Sequence, residues 1–278
     1  MAETLSNNGI VQQIIEQQIE NGIEDENLGL DFNPLQLYFG DDYIVNEKIR
    51  IRQPSIQDFI DYGDNNIFNV IMPFVSNTTS CRVQLWDKGI DWNKMTNQEL
   101  FSILIKNMNM EYSKIIFGDI DFSTFQIRIN ENGEDTSLSL YSPEMDIEID
   151  ESTRQRMCRY IQYMFNIYPP EEEFCSNKML KQELINNDKQ KQLKALKERG
   201  KDNSFLAIIA SYLNHPGCSY TKNELKNVKY FEFIYNTQRM QIYESTRALL
   251  NGRFSGMCDL SKVDKNEFNF MRDIKINA

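Results

Sequence analysis

A pair of prolines near the middle of the chain limits how it can fold. Pro169 and Pro170 are followed by three glutamates, and two successive prolines favour extended backbone. Strand and helix patterns alternate before this break, whereas the sequence after residue 204 shows helical periodicity alone. We therefore expect an acidic N-terminal helix or tether (1–31), an α+β body (32–168), a connecting segment (169–203) and an all-α body (204–278).

The predicted first body mixes short strands with capped helices. Residues 35–39 and 43–51 have strand patterns, and 122–129 and 136–141 alternate around a polar turn that contains Gly133. Ser55 and Thr96 are each followed three residues later by an acid, which is the pattern of a capping box. No repeated strand–helix–strand order is present, so the fold class is α+β.

The predicted connecting segment contains a long, polar, basic helix over 178–198, with few apolar residues per turn. Ser204 then caps a helix, and 214–217 forms a turn. Thr221 opens a second capping box, and a long amphipathic run continues to Leu250 and stops near Gly252. We expect the basic helix to be partly exposed and to join the two bodies.

Charge is unevenly distributed along the chain, whose net charge is −11. Residues 1–48 hold ten acids and one base, whereas 178–201 hold eight bases and three acids. The overall acidity makes nucleic acid an unlikely main partner, since phosphate binding needs clustered Lys and Arg. The two charged regions are either ordinary solvated faces or pair within a molecule or between copies, which allows a homo-oligomer.

Compartment and redox state follow from simple patterns. The first residues have no basic signal-peptide region, and no apolar run approaches the roughly 20 residues of a membrane span, so we expect a cytoplasmic protein without membrane contact. Five scattered cysteines without a CxxC pair are expected to be reduced and mostly buried. No metal or other cofactor is expected.

Candidates for catalysis are few, and each has a plainer structural interpretation. The only histidine, His215, lies in a predicted turn, where a surface role is more usual than a general base. Asp119 and Asp121, with the alternating acids of 144–150, form a remote candidate for a divalent-metal nuclease site, although solvent-facing strands have the same pattern. We therefore expect no enzyme, and no catalytic, cofactor-binding or metal-binding residues.

Two further features suggest binding. Residues 204–235 have the length of a DNA-binding helix–turn–helix, but their many apolar residues favour a buried helical hairpin. Trp86 and Trp92 flank a short polar turn, where tryptophans either form an exposed recognition loop or fix the loop to the core.

Several short motifs are distributed along the chain. They are PFVSNTTS (73–80), QLWDKGIDW (84–92), QELF (98–101), NKML (177–180), the basic stretch 189–197, VKYF (228–231) with Arg239, LLNGRFSG (249–256) and KNEFNFM (265–271). Together they resemble tail-gene proteins of bacteriophages that infect Gram-positive bacteria of the Clostridium and Bacillus type. The resemblance spans about 32–275 and implies a tail-assembly chaperone without cofactor or active site.

The resemblance implies that the partner is the tape-measure or tail tube protein and that the protein acts in the host cytoplasm. Candidate partner-binding residues are Trp86, Trp92, Phe231, Arg239 and Phe254. The alternative is a structural component that stays in the virion tail as a ring. More remote alternatives are the metal-dependent nuclease and a DNA-binding protein.

Overall fold

Helices and two small antiparallel sheets make up the described part of the chain, in a computed structural model that describes residues 30–132, 135–198, 205–256 and 259–274. The predicted α+β class is confirmed, with helix as the dominant element. Nearly all of the predicted N-terminal helix or tether (1–31) lies outside the described residues. No described helix is both long enough and apolar enough to cross a membrane.

Several of the described helices begin at a side chain that accepts one of their first N–H groups. The helices are numbered here in chain order. Ser55, Thr96 and Thr221 each form the predicted capping box, and the Asp150 side chain accepts the N–H of Thr153 at the start of the helix Glu151–Phe165. The bounds are α1 Pro34–Tyr38, α2 Ile56–Tyr62, α3 Asp64–Val75, α4 Arg82–Asp87, α5 Asn97–Ile105, α6 Met110–Phe117, α7 Glu151–Phe165, α8 Lys178–Glu198, α9 Phe205–Asn214, α10 Lys222–Leu225 and α11 Tyr230–Ser255.

The strands form two sheets. β1 (Tyr43–Ile44) pairs with β2 (Arg50–Ile51), and β3 (Gln126–Asn132), β4 (Asp135–Ser142) and β5 (Ile147–Ile149) form a meander in the order β3-β4-β5. The register pairs Ile127 with Leu140 and Ile129 with Leu138, so these four side chains share one face. The hairpin predicted over 122–141 is therefore confirmed for its main part.

Four local predictions are wrong. Residues 35–39 lie largely in α1, where Pro34 occupies the first helical position, and 43–51 is a tight hairpin of two short strands rather than one strand. Residues 122–124 form a 3-10 turn before β3. Gly252 lies inside α11, which ends at Ser255 because Gly256 takes the left-handed conformation there.

The C-terminal helices pack on the first body. The N–H groups of Ile56 and Gln57 donate to the carbonyl oxygens of Val228 and Lys226, at 3.0 and 2.8 Å. Ile56 is buried in one cluster with Tyr212 of α9, Leu225 of α10, Val228 between α10 and α11, and Phe233 of α11. Pro34–Ala278 forms one compact unit. The separation into an α+β body and an all-α body stays a prediction.

An extended segment, 166–177, connects α7 to α8 and is called the strap below. Loop side chains before α5 hold it: Asn77 donates to the carbonyl oxygen of Pro170 at 2.6 Å, and Trp92 donates to that of Glu173 at 3.2 Å. Arg82, whose side chain is only 7% exposed, contacts Glu173 of the strap and Asp188 of α8, each at 2.5 Å. Arg82 thereby connects α4, the strap and α8.

Candidate functional site

An open, mainly apolar groove of about 390 Å³ lies between α5 and the β3–β4 hairpin. Five apolar side chains from three parts of the chain line it. These are Ile90 and Met95 of the loop before α5, Ile103 of α5, Ile127 of β3 and Leu138 of β4. Asp91, Lys94, Glu99 and Ser102 complete the lining. Such a groove suits the apolar side chains of a peptide segment.

The apolar face of the β3–β4 hairpin includes side chains that do not pack into the core. Leu140 is buried, but Ile127 and Ile129, on the same face of the strand, are 48% and 63% exposed. Ile103 of the facing helix is 41% exposed. These aliphatic side chains therefore remain accessible at and beside the groove, as they would at a surface that binds another chain.

The carboxylates and the hydroxyl that line the groove already form hydrogen bonds or ion pairs within the protein. Glu99 completes the capping box of α5 by accepting the N–H of Thr96 at 2.7 Å, and Ser102 donates to the carbonyl oxygen of Glu99. Asp91 pairs with Lys181 at 2.6 Å, and this hydrogen bond holds the pKa of the Asp91 carboxyl below its usual value. The groove's carboxylates and hydroxyl are thus occupied, and its surface chemistry is apolar contact with a charged rim.

The β3 strand also offers backbone groups. Its inner edge pairs with β4 along the whole strand, whereas no other strand of the described residues pairs with its outer edge. A free edge next to an apolar groove permits an extended segment to add a strand while its side chains enter the groove.

The five predicted partner-binding residues do not form one site. Trp92 is fully buried and Trp86 packs edge-on against it, with ring centroids 6.1 Å apart, so this pair fixes the loop to the core rather than forming an exposed recognition loop. Phe231 is buried and stacks on Tyr163.

The other two predicted residues lie along α11. Arg239 donates to the hydroxyl of Tyr235 at 2.8 Å and to the carbonyl oxygen of Arg272 at 2.6 Å, which holds the C-terminal segment on the helix. Phe254, at the end of α11, is 83% exposed. It is the most exposed of the five and the one whose ring is freely available to a partner.

The acids considered for a metal site have separate structural roles. Asp121 accepts the N–H of Ser123 at 2.9 Å, Glu148 accepts the hydroxyl of Ser139 at 2.7 Å, and Asp146 pairs with Lys48 at 2.6 Å. No group of three or more Asp, Glu, His and Cys side chains in the described ranges is arranged to hold a metal ion. His215 accepts the N–H of Gly217 in the predicted turn and lies 3.4 Å from Glu244.

The helix pair considered for DNA binding has a different geometry from a helix–turn–helix. The helix after the turn, α10, is a single turn of four residues, and its Leu225 and the following Val228 are buried against Tyr212 and Phe233. A recognition helix needs enough length to lie in a groove of DNA. This segment uses its apolar side chains for the core, as the alternative interpretation from the sequence predicted.

Comparison with known proteins finds no family model that matches the chain, no significantly similar curated protein and no significantly similar solved structure.

The groove residues were missed because they come from three separate segments. A local signal was nevertheless present. Ile103 lies off the face of α5 that carries the buried Leu100, Phe101 and Ile105. Ile127 and Ile129 continue the alternation of apolar residues that begins at Phe125. Apolar residues that exceed the needs of the core indicate a binding surface.

Proposed function

We propose that this protein binds a partner chain without catalysing a reaction, and that the groove between α5 and the β3–β4 hairpin receives an apolar segment of that partner. The carrying observation is the cluster of accessible aliphatic side chains around the groove, Ile103, Ile127 and Ile129. Burying such surface stabilises a complex by about 25 cal/mol for each Å².

The partner that fits the proposal is a phage tail protein. The motifs of this chain resemble those of tail-assembly proteins, and a tape-measure protein is a long, largely helical chain that must stay soluble until tube subunits assemble around it. A chaperone for such a chain needs apolar grooves, charge for solubility and reversible affinity. We therefore propose the tape-measure protein as the partner, with the tail tube protein as the alternative, in the host cytoplasm.

Co-expression tests this function. The tape-measure protein is expressed with and without this chain, and its soluble fraction and co-purification are measured. Wild-type chain should raise the soluble fraction, and Ile103→Glu/Ile127→Glu should lose this effect because two carboxylates would have to be desolvated in the groove. Unchanged solubility and no co-purification with the wild-type chain would contradict the proposal.

A matched control is available outside the groove. Ile60 of α2 is 56% exposed and does not line the groove. Ile60→Glu introduces the same charge at a similarly exposed isoleucine, so it should leave co-purification unchanged. Equal loss of partner in the control and the groove variant would show that the groove has no special role.

The second candidate function is a structural tail component that forms a ring. The basic α8 and the acid-rich N-terminal sequence favour it, because complementary charges suit head-to-tail contacts between copies. Mass spectrometry of purified phage particles separates the two functions. A chaperone is absent from particles, whereas a ring subunit is present in several copies.

A further inference from the structure

The C-terminal end of α8 is exposed to solvent. Residues 190–197, called the overhang below, are helical and all exposed, and at 1.5 Å per residue they span about 12 Å. One turn earlier the helix is firmly attached. Ile185 is 2% exposed in a cluster with Val83 and Trp92, and Lys189 pairs with Asp87 at 2.7 Å.

The overhang continues the buried face of the helix without covering it. Leu196 follows Ile185 by about three helical turns, so both project from the same side of α8, and Leu193 lies beside Leu196. Leu193 and Leu196 are 51% and 56% exposed. An apolar stripe that is buried in the body is therefore presented to solvent at its end.

Positive charge surrounds this stripe. The overhang contains three lysines, Lys191, Lys194 and Lys197, and no acid. Lys191 lies 3.8 Å from Asp188 and is 80% exposed, and neither Lys194 nor Lys197 makes an ion pair within the described part of the chain. The overhang thus combines two accessible leucines with a local positive charge in a protein of net charge −11.

We propose that the overhang docks an acidic amphipathic helix of a partner protein. Leucines or isoleucines three and four residues apart on that helix would cover Leu193 and Leu196, and its flanking Asp and Glu would pair with the three lysines. Two copies of the overhang cannot pair face to face in this way, because their lysines would repel each other. This inference concerns a surface separate from the groove and does not rest on the groove's function.

The two exposed leucines of the overhang favour a protein partner over nucleic acid. A phosphate backbone would engage the lysines but would leave both leucines against a charged surface, which offers them no apolar contact. Three lysines are also few compared with the phosphate contacts of a typical nucleic-acid-binding surface. The chemistry of the overhang therefore favours a protein helix.

A synthetic peptide tests the proposal. The probe is a fluorescent helix of about 18 residues, with leucines at every third and fourth position and flanking glutamates, and the matched peptide carries lysine in place of glutamate. Fluorescence anisotropy with the full chain should show binding of the glutamate peptide that is at least ~10-fold tighter than that of the lysine peptide. Binding should weaken as salt screens the charges.

Variants of the overhang test which of its side chains bind the peptide. Leu193→Gln/Leu196→Gln should weaken binding of the glutamate peptide by roughly tenfold. Lys191→Glu/Lys194→Glu/Lys197→Glu should do the same, and should also make the lysine peptide the tighter ligand. Asn187→Ala, on the opposite side of the same helix, should change neither affinity. All altered positions are exposed, and circular dichroism checks that α8 stays helical.

Three results would overturn the proposal. They are no binding of the glutamate peptide by the wild-type chain, equal binding by the leucine variant, and lysine-dependent binding of duplex DNA or anionic phosphatidylserine vesicles in place of the peptide. The groove variant Ile103→Glu/Ile127→Glu should bind the peptide normally. A negative result for the overhang proposal is therefore distinguishable from a negative result for the groove proposal.

Discussion

Arg82 provides the sharpest test of how the strap and α8 are attached. Its guanidinium donates to Asp188 and to Glu173, and the hydrogen bond to Asp188 raises the pKa of Arg82 above its ordinary value. Arg82→Met keeps an apolar stem of similar length but removes the charge and both hydrogen bonds. We expect the variant to fold with a weakened attachment of α8.

The exposure of Asp188 and Glu173 determines how much stability the Arg82→Met variant loses. The Asp188 side chain is 20% exposed, so losing Arg82 leaves a largely buried carboxylate whose remaining cationic neighbour is the exposed Lys191 at 3.8 Å, at a cost of about 1–3 kcal/mol. Glu173 is 51% exposed and is rehydrated, so its share is below about 1 kcal/mol. The sum is about 1–4 kcal/mol, or a fall in Tm of about 2–16 °C for a chain of this size.

Urea and thermal unfolding measure this loss, with Lys189→Met as the control. Lys189 pairs with Asp87 across the same interface, but both side chains are at least 40% exposed, so this pair should contribute less than about 1 kcal/mol. The double variant Arg82→Met/Asp188→Asn should recover part of the lost stability, because it removes the largely buried carboxylate that Arg82 no longer neutralises. If Arg82→Met costs no more than Lys189→Met, the buried pair does not anchor α8.

Three further predictions concern the whole chain. Trypsin should cut first between residues 189 and 201, where lysines of the overhang are exposed, and first cleavage in the β3–β4 hairpin would refute this order. Burial raises the pKa of the Cys158 thiol to about 11, so mass spectrometry after iodoacetamide treatment at neutral pH should find Cys81 and Cys218 modified well before Cys158. Burial also raises the pKa of Tyr230, so its stabilising contribution is complete below its unfolded pKa of 10.0 and is lost as pH rises further. The urea midpoint should therefore fall above about pH 10, and less steeply in Tyr230→Phe.

Local chemistry made part of the fold predictable. The capping boxes at Ser55, Thr96 and Thr221 involve residues only three apart, so the sequence contains all the information that their geometry needs. The end of α11 was misplaced because Gly252 and Gly256 are both plausible helix stops. Only the packed structure determines which of them leaves the helical conformation.

Nonlocal packing explains what the sequence left undetermined. The burial of Trp92 depends on the strap, which is about 80 residues away in the chain and accepts the indole N–H through Glu173. The groove likewise requires Ile103 to face Ile127 and Leu138, and no periodicity in any one segment encodes that approach. Exposed tryptophan and buried tryptophan have the same local pattern, so the sequence alone left both interpretations open.

The hydrogen bonds from Ile56 and Gln57 to Val228 and Lys226 have a consequence for synthesis on the ribosome. The acceptors are translated about 170 residues after the donors, which takes roughly 10–35 s at a synthesis rate of about 5–20 residues per second. Throughout that interval the start of α2, with the apolar surface around Ile56, has no C-terminal partner. The nascent chain therefore completes this part of its core only late in translation, and truncated products should be the species that aggregate or recruit holdase chaperones.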